Sequence, residues 1–132
     1  MKLFFLISIC FFTSFPCFAK WKKITETKTY TEFVETDSVK KENEIVYLWT
    51  LRNFVKKKQM DKEQSLKLYS RYDCNKIKYE VLTIISYKTQ MGKGREFNYR
   101  KNVTDYSDNS NWVYPNLDDE AYKSMKAVCN LK

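Results

Sequence analysis

Four cysteines stand in two groups. Cys10 and Cys17 lie near the start, Cys74 and Cys129 far along the chain, and the segment around the first pair decides what the second can do. That segment reads MKLFFLISICFFTSFPCFAKW: a positive Lys2, an apolar run from Leu3 to Phe15, a break at Pro16, and the small residues Cys17 and Ala19 at −3 and −1 of a cut after Ala19. Those are the parts of a secretory signal peptide. The run is shorter than the roughly 20 apolar residues that a bilayer-spanning helix needs. A lipid anchor on Cys17 would need a small residue before it and a Leu three before; Ser14-Phe15-Pro16 provides neither. We therefore expect residues 1–19 to be cleaved and residues 20–132 to form a single exported domain.

Cleavage takes Cys10 and Cys17 with it. Two cysteines in an exported protein read as one disulfide, Cys74–Cys129. The chain contains no histidine, which removes the commonest general base and the commonest metal ligand. Two cysteines alone do not make a zinc site. No catalytic residue, metal ligand or cofactor-binding residue is expected, and enzymatic activity is not.

The rest of the chain is dominated by alternation of β-branched and aromatic residues, the signature of strands. Expected strands cover Trp21–Thr27, Tyr30–Glu35, Glu44–Val55, Leu66–Cys74, Lys78–Thr89 and Arg95–Arg100. Thr36-Asp37-Ser38 reads as a turn whose short side chains bond backbone N–H groups. The stretch 104–111 is dense in Asp, Asn and Ser and reads as a loop. After Pro115 the period becomes helical: Leu117, Ala121, Tyr122, Met125, Val128 and Cys129 share one stripe, and Asp118-Asp119-Glu120 fits the first turn, where the helix dipole favours acids. The expected fold class is α+β, mostly β: an antiparallel sheet of about six strands with one C-terminal helix packed on it. Along Leu66–Cys74 the alternation puts Leu66, Leu68, Ser70, Tyr72 and Cys74 on one face. Cys129 lies on the apolar stripe of the helix, so the bond would tether helix to sheet.

The blocks FVETDSV (33–39), YLWTLRNF (47–54), SLKLYSRYDCNKIKYEV (65–81) and NWVYPNLDDEAYKSMKAVC (111–129), in that order and with that cysteine pair, resemble the surface-adhesin protein E family of Gram-negative bacteria. The resemblance implies a six-stranded antiparallel sheet with a disulfide-tethered C-terminal helix. It also implies an exported protein that binds host extracellular-matrix or plasma proteins such as vitronectin, laminin and plasminogen. Two departures stand out. The turn reads Glu35-Thr36-Asp37 where the family carries Asp two after the aromatic. The acylation motif of the lipid-anchored family members is missing, which favours a periplasmic or secreted location over surface display; the expected location of the exported chain is periplasmic, outer-membrane-associated or secreted.

Charge supplies the candidate binding residues. Without its leader the chain carries 23 basic and 16 acidic residues, a net +7. Lys56, Lys57 and Lys58 form the densest basic run and are the candidate polyanion-binding residues, for heparin-like glycans, anionic headgroups or an acidic protein patch. The plainer reading is a solvated hairpin. Nucleic acid is a poor partner for an exported protein. Trp49 shares a face with Ile45, Tyr47 and Leu51, opposite Val46, Leu48 and Thr50. Since one helix covers one face, Trp49 is either core or part of an aromatic patch open to a ligand or to a second copy of the chain. The expected function is an exported, non-enzymatic, adhesin-like binding domain for host proteins or polyanions. The alternative is a periplasmic envelope factor or inhibitor with a protein partner.

Overall fold

The computed structural model describes residues 20–55, 63–101 and 111–131. The leader and the Lys56-Lys57-Lys58 run lie outside them. Seven strands form one antiparallel sheet: β1 (Trp21–Glu26), β2 (Tyr30–Glu35), β3 (Lys40–Glu42), β4 (Ile45–Phe54), β5 (Ser65–Asp73), β6 (Lys78–Tyr87) and β7 (Glu96–Lys101). Their order is β1-β2-β4-β5-β6-β7, with β3 also on β4, and one helix, α1 (Glu120–Cys129), follows.

The short β3 was not expected from the sequence. Its Lys-Lys-Glu composition is exposed and carries no apolar alternation. It exists because β2 and β3 lie end to end along one edge of β4: Val34 pairs with Thr50 and Lys40 with Tyr47. Between these points the register slips by the length of the 3-10 turn Thr36–Ser38. Ser38 mends the ladder there. Its Oγ accepts the Trp49 N–H at 2.9 Å and donates to the Glu35 carbonyl at 2.7 Å. A side chain thus replaces the missing backbone partner, as the turn reading anticipated.

Alternation sorts the sheet into two faces. The first buries Val34, Leu48 and Tyr72 against Met125 and Val128 of α1, with Ile24, Val46 and Tyr79 packed around them. Cys74 follows β5 on this face, and its bond to Cys129 closes a separation of 55 residues at a Cα–Cα distance of 5.8 Å. Closing a loop of that size is worth roughly 4 kcal/mol in the chain-entropy account. Two further ties locate the helix. Tyr30 and Ser124 share a buried hydroxyl contact at 3.1 Å. Glu120 accepts the Lys28 N–H at 2.9 Å and the Thr29 hydroxyl.

Two expectations for the helix need correction. Leu117 precedes α1 and is 71% exposed, so it does not belong to the buried stripe. The acidic run does more than answer the helix dipole: Asp119 Oδ2 accepts the Asn116 N–H, and Glu120 fastens the β1–β2 turn. Asp73, beside Cys74, accepts the Lys76 N–H at 3.0 Å and lies 4.0 Å from the Lys78 ammonium, so it closes the β5–β6 hairpin.

Candidate binding face

The helix leaves the second face of the sheet to other covers. Cross-strand register builds that face in rows: Tyr47, Arg71 and Glu80; then Trp49, Tyr69, Thr83 and Lys101; then Leu51, Lys67, Ile85 and Tyr99. Trp49 therefore lies away from the helix core, half-buried, with its ring 5.2 Å from that of Tyr69, and Tyr47 is 6.5 Å from Tyr69 on the other side. Trp49 is thus outside the helix-side core, and it is packed against Tyr69 on the other face without being fully exposed.

Each end of the face is capped. At one end, the isolated bridge Tyr79–Val113 aligns residues 112–114 beside β6. With Val113 on the helix side, the neighbouring Trp112 falls on the second face. There its ring lies 4.5 Å from the Arg71 guanidinium and 4.2 Å from the Lys78 ammonium. Arg71 also pairs with the buried Glu80. At the other end, the 3-10 turn Gln90–Gly92 folds over Leu51 and Lys67. Met91 N–H donates to Asn53 Oδ1 at 2.8 Å and Gly92 N–H to Ser65 Oγ at 3.0 Å. Gly92 sits at φ +56°, and a Cβ there would meet Lys67 Cε at 2.6 Å and Leu51 Cδ1 at 3.2 Å. Only glycine lets the turn come this close.

That close turn holds the Lys67 stem, and its ammonium reaches two rings, Tyr87 at 5.1 Å and Trp21 at 5.9 Å. Lys67 makes no salt bridge among the described residues. Between the caps, Trp49 and Tyr69 are half-buried, while Tyr99 and Lys101 are exposed. The charge balance of this face differs from that of the helix side. There, Glu32 is fully buried and its carboxylate takes the Arg52 Nε–H at 2.8 Å. Burial pushes the Tyr72 phenol above its ordinary range, and the Glu32 carboxylate pushes the same way. The helix side buries the Glu32–Arg52 pair, and the second face carries the Arg71–Glu80 pair together with Lys67, which makes no salt bridge among the described residues.

The sequence-based candidates separate accordingly. Cys74 and Cys129 are bonded. Lys56, Lys57 and Lys58 follow β4 outside the described residues, so the structure does not place them on either face. Lys67, Arg71, Tyr69 and Trp112 were not singled out. Strand alternation could have put Lys67, Tyr69 and Arg71 together, but the return of Trp112 across β6 has no local signal. Among the described residues no group of His, Cys, Asp and Glu could hold a metal ion. Nor is any helix among them long and apolar enough to cross a membrane.

Comparison with known proteins supports the same architecture. The family described as surface-adhesin protein E matches residues 21–130. Crystal form II of Haemophilus influenzae protein E superposes with a TM-score of 0.55 at 14% identity, covering 80% of this chain and 91% of that chain. Protein E from non-typeable Haemophilus influenzae gives a TM-score of 0.52 at 15% identity, covering 81% of this chain and 74% of that one. At such identities the likeness is one of fold. No curated protein matches the chain.

Proposed function

The chain belongs to the surface-adhesin protein E family, and we propose that it is an exported, non-enzymatic binding domain that recognises an extracellular partner through the face opposite its helix. Residues 1–19 are removed on export and the domain proper begins near Lys20. The partner is a host matrix or plasma protein, or a polyanion associated with one.

One observation carries this reading. With α1 packed on one sheet face, Trp49 and Tyr69 stay half-buried on the other with their rings 5.2 Å apart, and a lysine is clamped between rings beside them. Aromatic side chains with adjoining cations are what binding hot spots are made of.

Fractionation of producing cells, with mass analysis of the purified chain, tests the first half. The expected result is a chain lacking residues 1–19, with no free thiol, in the outer-membrane fraction or the medium. Confinement to the periplasm would favour an envelope factor instead. Retention of the mature domain on immobilised extracellular matrix tests the second half, and no retention would sink it.

A further inference from the structure

The chemistry of the open face narrows the class of ligand, resting on the reading of that face as the binding surface. Three of its features bear on the choice. The first is shape. Trp49 and Tyr69 sit opposite each other on β4 and β5, half-buried, with ring centroids 5.2 Å apart and planes tilted by 35°. Flat rings of this kind suit the C–H faces of sugar rings. The second is charge. Lys67 is held between Tyr87 and Trp21 with no salt bridge among the described residues, and exposed Lys101 ends the Trp49–Tyr69–Thr83 row on β7. Arg71, one row away, has its guanidinium shared between Glu80 and Trp112. The third is rigidity. The Gly92 turn packs against the Lys67 stem, so the cation is fixed before any ligand arrives and little side-chain entropy is lost on binding.

We infer that the Trp49–Tyr69 pair, flanked by Lys67 and by exposed Lys101 at the β7 edge, binds an anionic polysaccharide: sugar rings stack on Trp49 and Tyr69, and sulfate or carboxylate groups meet Lys67 and Lys101. Charge complementarity selects an anion, because Lys67, two residues along β5 from Tyr69, makes no salt bridge among the described residues, in a chain of net +7 once residues 1–19 are removed. The rings select a sugar over a simple polyanion, since stacking gives a stripped anion such as polyglutamate nothing to gain. This site is separate from the Lys56-Lys57-Lys58 run.

The test titrates the mature, disulfide-intact domain with a size-defined heparin oligosaccharide, and with poly-L-glutamate as the anion without sugar rings. Tyr69→Leu keeps an apolar side chain of similar burial and removes the ring. Lys101→Glu changes an exposed position at a strand end, so it reports even where Tyr69→Leu does not fold. Heparin binding that weakens on the order of tenfold in each folded variant, with much weaker polyglutamate binding, is the expected result. Equal affinity for heparin and polyglutamate, untouched by either change, would overturn the inference, and so would no heparin binding. A matrix coat treated with glycosaminoglycan-degrading lyases separates this from the broader reading. Undiminished retention on the treated coat overturns the glycan inference and leaves the adhesin-like function standing with a protein partner. Failure on the untreated coat removes both.

Discussion

Ser38 illustrates how much one hydroxyl can hold. Its Oγ takes the Trp49 N–H at the point where β2 gives way to β3, so it positions both the strand interruption and the backbone of a residue on the open face. Ser38→Ala leaves that N–H without its partner. We expect a loss of about 1–2 kcal/mol, read as a lower urea midpoint with unchanged m-value, whereas exposed Asp37→Ala next to it should be near neutral. Glu120 acts at a surface. The Thr29 hydroxyl, and after it the Lys28 N–H, hold its carboxyl below the usual carboxylate range. A folded-state value below the unfolded one means that the ionised form is what stabilises. The contribution is therefore full above the unfolded carboxylate value of about 4.5 and disappears as pH falls through the lower folded value. Glu120→Gln should accordingly melt below wild type at neutral pH, and the two curves should converge under acid. A constant difference down to the acid limit would contradict this assignment.

At the scale of elements, the helix and the 3-10 turn over Lys67 are each held by one residue type that nothing else replaces. Gly92→Ala places a methyl group 2.6 Å from Lys67 Cε in a left-handed backbone. It should cost about 1–2 kcal/mol and, by displacing Lys67 from its rings, change tryptophan fluorescence. Replacing both Cys74 and Cys129 with serine should remove roughly 2–5 kcal/mol, measured by thermal unfolding, and a variant as stable as wild type would show the tether to be idle. Six strands and the helix were legible in the sequence because each carries a period, 2 or 3.6, set by a buried face. The short β3 carries none, since its three residues pair along an edge and bury nothing. Leu117 misled for the related reason that an apolar residue continuing a helical spacing says nothing about where the helix begins; α1 starts at Glu120, once the chain has turned at Asp119.

For the molecule as a whole, the sheet is two surfaces with different business. The helix side is closed by packing, by the disulfide and by the Glu32–Arg52 pair, where removing one partner leaves an uncompensated buried charge. The other side is capped at its ends by Trp112 and by the Gly92 turn, and between them Trp49 and Tyr69 stay half-buried. Alternation showed that Trp49 and Leu48 point opposite ways. Which way the helix lay was a tertiary fact, and it decided that Trp49 lies on the face away from the helix. The same held for the candidate site: the basic run stood out in the sequence because its lysines are adjacent. Lys67 and Arg71 share one face of β5, and Lys101 joins that face only when β6 and β7 align beside it. The most direct measurement of the account is retention of the mature domain on immobilised extracellular matrix, comparing wild type with a folded Trp49→Leu/Tyr69→Leu variant of intact disulfide. Wild type is expected to be retained and the variant to pass through. Equal retention of the two would show that the open face is not where this protein binds.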